Sequence, residues 1–364
     1  MQLERVEGPG RAKPRIVCVL DTHQRGWPTA CGYIRLILPL STLEARKEFD
    51  IHFVAADEAD LIGADAVIVQ RLAFAVDAAI DGLLARCRNS GARLIYEIDD
   101  DLLAIAHDHP EYEYYSDTSR HIRRLIDAAD EVWVSTEALA VQMRPLGRTI
   151  VTIQNELDAR IWKEPQPTAP GSILRLIYMG SATHSADFHD LLMPAFEMLR
   201  REFGDRVELT LIGVADRVSL SDGMRMLPPP PGVGTSYPSF ANWLQSLRDF
   251  DVGLAPLLPT ELNKSKSRIK WLEYSAMGLA TIASDFAEYR NSIVDSQTGL
   301  LADNHPRGFY EALKRSAVAP SMVAALKQGA VDFANEQMAA PLASRQRLSR
   351  LSSLLGTAPH QSSS

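Results

Sequence analysis

Strand-like and helix-like segments alternate twice along this chain, with a proline-rich break between the two runs, and few folds accommodate that pattern. In the first run the strand segments are 14–21 (PRIVCVLD), 51–56, 65–70, 92–99, 131–136 and 149–155. Helical stretches at 34–49, Leu72–Cys87 and Ser119–Ala129 separate them, and Ser135 or Thr136 is placed to cap a further helix through Gln142. WKEPQPTAPGS (162–172) reads as a linker. The second run has strands at 174–180, 207–214, 251–257 and 280–283. Its helices are Phe188–Phe203, Phe240–Leu247, Phe286–Val294, Phe309–Ala317 and Ser321–Glu336, and MRMLPPPPG (224–232) is a connecting loop. Strands and helices of this length imply parallel sheets covered on both faces. The expected architecture is therefore α/β, two successive domains that either clasp a ligand in the cleft between them or stand as independent units sharing no site.

Composition narrows the function. A net charge of -8 without a basic stripe argues against a nucleic-acid binder. Cys18, Cys31 and Cys87 lack metal or CxxC spacing, which points to a reducing cytoplasm. No apolar run reaches the roughly 18 residues needed to span a bilayer. Neither GxGxxG nor GxxxxGK[ST] occurs, so the usual dinucleotide and P-loop fingerprints are absent.

The richest segment is Asp251–Asp285, read as strand, polar loop, short helix, glycine turn, strand. Its loop and helix carry Lys264, Lys266, Arg268 and Lys270, with Glu261 and Glu273. Loops at the carboxyl ends of strands are where α/β proteins bind ligands, and a cationic one suits phosphate. At helical spacing Lys266, Lys270 and Glu273 share one face, which fits a diphosphate joined to a hydroxyl-rich group such as ribose. YMGSATHSADFHDLL (178–192) is a second candidate. Gly180 ends a strand, and Ser181, Thr183 and His184 precede a helix whose N-terminal donors would favour an anion. Simple helix capping is the alternative there.

In the first half, YEIDDDLL (96–103) ends in Asp99, Asp100 and Asp101. They suit hydroxyl binding or base catalysis, helix capping by Asp99 or Asp100, or a divalent cation. HDHPEYEYY (107–115), with His109 and Tyr112, reads as a polar aromatic loop for sugar or nucleoside contact, or as a lid. Zinc ligation there lacks further ligands at suitable spacing. Gly32 and Tyr33 open a helix whose first turn holds Arg35, a cation held either by a ligand or by an acid. Asn155 fixes the crossover or touches a ligand.

CGYIRLILPL, LIYEIDDDL, YMGSATHSADF and KSRIKWLEYSAMGLATIAS together resemble a group 1, family 4-like glycosyltransferase of the GT-B type, with two Rossmann-like domains facing across a cleft. The narrower likeness is to the bacterial branch that builds O-antigen and other surface polysaccharides. That resemblance implies a retaining, metal-independent, hexosyltransferase-like enzyme with no cofactor. Its donor would be a UDP-, GDP- or dTDP-linked sugar, and its acceptor a glycan or lipid-linked glycan. It implies a cytoplasmic protein, compatible with peripheral contact at the inner face of the membrane. Residues 14–158 would form the acceptor-side domain and 159–334 the donor-side domain. Residues 335–356 would form a helix returning to the first domain, and 357–364 a disordered tail.

The same resemblance places Glu273 on the nucleotide ribose and Lys266, Ser267, Lys270 and Tyr274 around the donor, beside Gly180, Ser181, Thr183 and His184. Lys266, Glu273 and Asp100 become the catalytic candidates. Tyr33, Arg35, Asp99, Asp101, His109 and Tyr112 fall on the acceptor side. The family's first glutamate is replaced by Ser265, and its proline before the next strand by Ala280. Rival expectations are a sugar-nucleotide epimerase and a non-catalytic scaffold of the same fold.

Overall fold

The computed structural model describes residues 13–23, 26–107, 109, 112–180, 185–213 and 220–357. Two six-stranded sheets organise it, and every strand pair is parallel. The first contains β1 (Arg15–Val19), β2 (Asp50–Val54), β3 (Ala66–Gln70), β4 (Arg93–Ile98), β5 (Glu131–Val134) and β6 (Thr149–Thr152), in the order β2-β1-β3-β4-β5-β6. The second contains β7 (Leu174–Met179), β8 (Val207–Ile212), β9 (Met224–Met226), β10 (Val252–Ala255), β11 (Ala280–Ser284) and β12 (Leu300–Ala302), in the order β12-β11-β10-β7-β8-β9. Strand order reverses at β1/β3 in one domain and at β7/β10 in the other. These are the switch points where open α/β sheets bind ligands. The fold is GT-B: two Rossmann-like sheets, each covered on both faces by helices.

The central strands are continuous runs of Val, Ile and Leu because both of their faces are buried. One hydrophobic cluster packs on each face of each sheet. The chain then crosses back. After the helix Pro320–Ala339, the helix Leu342–Leu355 lays Ala343, Leu348 and Leu351 into the core of the first domain against Ile16, Cys18 and Trp133. Glu156 accepts from the backbone N–H of Ala343 (2.8 Å) and Ser344 (2.9 Å), capping that helix.

Both domains treat the helix after their first strand alike. Pro39 has no N–H to donate and would crowd the carbonyl of Arg35 in a regular helix. The preceding turn, Tyr33–Ile37, widens instead, with Leu38 N–H bonding back to the Tyr33 carbonyl five residues earlier. Pro194 does the same to Phe188–Leu192, through Met193 N–H and the Phe188 carbonyl.

Several boundaries depart from the sequence reading. The helix expected from Leu72 begins at Asp77, because Arg71 takes a left-handed backbone (φ 42°) that turns the chain off β3. Tyr112–Tyr115 belong to the helix Tyr112–Ala128 rather than to a loop. β9 and β12 were not anticipated.

Candidate functional site

The loop after β10 crosses the cleft and fastens itself to the opposite domain at four successive residues. Ser265 Oγ accepts from Asp101 N–H (3.2 Å), while its carbonyl accepts from the Thr136 hydroxyl (3.0 Å). Lys266 Nζ meets Asp100 Oδ2 at 2.9 Å. Ser267 Oγ accepts from Asn155 Nδ2 (2.8 Å), and Arg268 Nη2 donates to Gln154 Oε1 (3.0 Å). The partners lie just beyond the carboxyl ends of β4, β5 and β6. Lys266 thus reaches the cleft from a loop between the helices Glu261–Lys264 and Ile269–Ala276. The expectation that it shares a helical face with Lys270 and Glu273 fails for Lys266, because these cross-domain bonds hold its segment out of the helix.

Behind this strap lies a cavity of about 150 Å³. Lys266, Ser267 and Lys270 line one side, and Arg35, Asp99, Asp100 and Asn155 the other. Sites for whole small ligands run to about 300–1,000 Å³. A nucleotide-sugar would therefore extend along the cleft or need the domains parted.

Lys270 places its ammonium inside this cavity. Its Nζ is buried without a hydrogen-bond partner among the described residues and sits 5.3 Å from the Tyr178 ring centroid. Burial pulls its pKa down to about 8, and the Lys266 charge adds to this, against Asp187 and Glu273. A buried, unpaired ammonium at a switch point is well suited to an anion.

Glu273, one turn on, is 8% exposed, and burial raises it to about 7. Its Oε1 accepts from the Tyr237 hydroxyl at 3.0 Å. Asp187, which the sequence reading passed over, binds Leu258 N–H (2.8 Å) and Asn263 Nδ2 (3.0 Å), tying the β7 helix to the β10 loop.

Other candidates are used by the fold. Tyr274 Oη accepts from Met179 N–H (3.0 Å) and donates to the Leu254 carbonyl (3.1 Å), so its hydroxyl stitches β7 to β10. It does not line the cavity, and Gly253 is required because any Cβ there would strike the Tyr274 ring. A side chain at Gly180 would collide with Tyr178, so packing as well as ligand approach calls for glycine. Ser181, Thr183 and His184 lie outside the described residues.

On the first domain, Arg35 is held by an acid, the alternative that its position left open. Its Nε meets Glu97 at 2.6 Å, and its Nη1 donates to the Ile153 carbonyl (2.5 Å) and Asn155 Oδ1 (3.0 Å). Asn155 fixes the crossover, bonding Arg35 on one side and Ser267 on the other, and it also lines the cavity. Asp101, not Asp99 or Asp100, caps the following turn through Leu103 N–H (3.1 Å). Asp99 takes Arg71 Nη1 at 2.9 Å.

Arg71 also reaches Asp21 (3.5 Å) and the Cys31 thiol (3.3 Å), which makes it the hub of the β1/β3 switch point. Nothing in its sequence neighbourhood signals this beyond a charged residue ending a buried strand. Tyr33 packs toward the core of the second domain, and neither His109 nor Tyr112 lines the cavity. Tyr112 packs against His107, with ring centroids 4.2 Å apart and the rings tilted at 40°. Among the described residues no group of three or more His, Cys, Asp or Glu could hold a metal ion, and no helix is long and apolar enough to cross a membrane.

Comparison with known proteins agrees with this geometry. Residues 174–317 match the family model described as glycosyl transferases group 1. No curated protein sequence matches significantly. Among solved structures, sucrose-phosphate synthase from Thermosynechococcus elongatus aligns with TM-score 0.66 at 11% identity, covering 94% of this chain and 99% of that one. Anabaena HepE in complex with UDP and glucose aligns with TM-score 0.62 at 12% identity, over 93% and 100%. A putative UDP-N-acetylglucosamine 2-epimerase from Listeria monocytogenes aligns with TM-score 0.54 at 13% identity, over 96% and 98%. The chain is thus a GT-B-fold, glycosyltransferase-like protein whose second domain carries the group 1 match.

Proposed function

We propose that the protein transfers a sugar, with retention and without a metal, from a nucleotide-sugar to a hydroxyl of a glycan or lipid-linked glycan in surface-polysaccharide synthesis. The observation that carries this reading is Lys270, a buried ammonium without a partner among the described residues, beside Lys266 at the β7/β10 switch point and within the matched region. The donor diphosphate lies over Gly180 and the helix that follows. Lys266 and Lys270 neutralise the charge that grows on the leaving diphosphate, an interaction strongest in the transition state. Glu273 takes the ribose hydroxyls. Asp100 faces the sugar from the acceptor domain, and Ser267 and Asn155 hold the strap while chemistry occurs. HepE, of the same fold, is seen with UDP and glucose, which supports a nucleotide-sugar donor.

Calorimetry against UDP, GDP, dTDP and CDP, with and without Mg²⁺, tests the reading. One preferred nucleoside diphosphate, bound equally without Mg²⁺ and weakened about tenfold or more in Lys270→Met, is the expected result. Binding of none of the four would refute it. The likeness to the Listeria epimerase favours one rival, an epimerase at the same cleft. It would turn over a sugar-nucleotide with no acceptor present.

A further inference from the structure

Glu273 is held from behind by residues far away in sequence. Its Oε1 takes the Tyr237 hydroxyl at 3.0 Å, and that hydroxyl lies 3.3 Å from the indole Nε1 of Trp162. All three side chains are buried. An indole N–H can only donate, and a phenol has a single proton. With Trp162 donating into the Tyr237 oxygen, the Tyr237 proton must point at Glu273. Oε1 is thereby committed as an acceptor, and Oε2 carries no protein hydrogen bond among the described residues. Burial and the neighbouring carboxylate push the Tyr237 phenol well above its ordinary range, so it keeps that proton.

Trp162 is itself fixed. Its backbone N–H bonds to the Asp158 carbonyl (2.9 Å), and Gln245, on the Tyr237 helix, binds both the Ile161 carbonyl (3.0 Å) and Lys163 N–H (2.7 Å). Arg160, two residues before the linker, reaches Ser41 Oγ of the first domain (3.1 Å).

We infer that Tyr237 is a positioning residue for Glu273, its proton aimed by Trp162, so that the carboxylate is presented to a ligand's hydroxyl groups as an acceptor through Oε2. This inference rests on the donor-site reading above. It adds that the interdomain linker, through Trp162, is part of how that site is built. The other ionisable groups near Glu273 are Lys270, Tyr274 and Tyr289.

The test is Tyr237→Phe, which keeps the ring and removes the hydroxyl, alongside Trp162→Phe. A hydrogen bond donated to a carboxylate favours its charged form. Removing it must therefore raise the Glu273 midpoint, read as the carboxylate infrared difference against Glu273→Gln in the ligand-free protein. The expected rise is about one pH unit in Tyr237→Phe, with a smaller rise in Trp162→Phe, where the phenol proton is no longer aimed. An unchanged midpoint in Tyr237→Phe overturns the inference.

The tightest-binding of UDP, GDP, dTDP and CDP then supplies a second readout. In Tyr237→Phe its affinity should fall about tenfold at pH 6.5 and recover to nearly wild type at pH 9, where Glu273 is ionised in both proteins. An equal loss at both pH values would mean a merely structural role and would also overturn it. If none of the four binds the wild type, the donor-site reading falls, while the infrared midpoint still decides whether Tyr237 sets the state of Glu273.

Discussion

Replacing Lys270 with methionine should stabilise the empty protein while weakening its grip on a diphosphate. Burial holds the Lys270 amine at about 8 in the fold, against an ordinary lysine's 10.5. Each unit is worth about 1.4 kcal/mol, so keeping this ammonium charged and buried costs about 3 kcal/mol. Methionine has similar length and no charge. It forfeits the contact between Nζ and the Tyr178 ring, roughly 1 kcal/mol, which leaves a net gain of about 1–2 kcal/mol at pH 7. The sign follows from proton counting. Below pH 8 both folded and unfolded states hold the proton, and the cost is present in full. Between pH 8 and 10.5 the unfolded chain holds more protons, so wild-type stability rises with pH. Urea unfolding at pH 7 and pH 10 should show the variant's advantage shrinking toward zero or reversing at the higher value. Calorimetry with the preferred nucleoside diphosphate should show affinity falling about tenfold or more, as for loss of a charge-assisted contact. A variant less stable at pH 7, or one whose advantage is the same at both pH values, would refute the argument.

Three further perturbations follow from the site. Tyr274→Phe strands the buried Met179 N–H and should cost about 1–3 kcal/mol in urea unfolding with nucleotide affinity unchanged; a loss of affinity without a loss of stability would restore Tyr274 to the ligand. Asp100→Asn removes the counter-ion that a bound diphosphate must replace on Lys266. It should tighten diphosphate binding about two- to fivefold at low salt, an effect worth roughly 0.5–1 kcal/mol for an ion pair this accessible, and calorimetry at two salt concentrations checks it. Ser265→Glu, which restores the residue type that the resemblance expects, places a carboxylate at a fully buried position against Asp101 and Thr136. It should lower the unfolding free energy by several kcal/mol, and an unchanged melting temperature would show that the strap yields.

Most of the frame was legible because buried parallel strands leave an unmistakable trace. Runs such as AVIVQ and VELTLI admit little else. The three-residue strands Met224–Met226 and Leu300–Ala302 were missed because strands that short, each at a sheet edge, carry no periodicity. RLAFAV after β3 looked helical because its apolar residues are real core, Phe74 among them, but a left-handed Arg71 is invisible in composition. At the site, Lys266, Lys270 and Glu273 stood out because charge in a strand-end loop is anomalous. Tyr237, Asp187 and Arg71 did not, since each acquires its role only through contacts 36, 71 and 28 residues away. Arg35 could be narrowed to two partners but not decided, because the choice depended on Glu97, 62 positions along the chain.

The two widened turns decide how the first helix of each domain continues past a proline. YIRLILP (33–39) and FHDLLMP (188–194) match in type at every position but the second: an aromatic first, a polar residue third, leucine fourth, two aliphatic or Met side chains, then proline. Each wide turn spends one residue more than a regular helix would, and so rotates everything after it by about 100°. Downstream, Leu40 in one domain and Phe196 in the other pack into the core, as do Leu36 and Leu192 one turn before them. These prolines therefore widen the helix locally rather than end it. The two halves of the chain, alike in little else that sequence comparison would catch, accommodate a proline within their first helix by the same means.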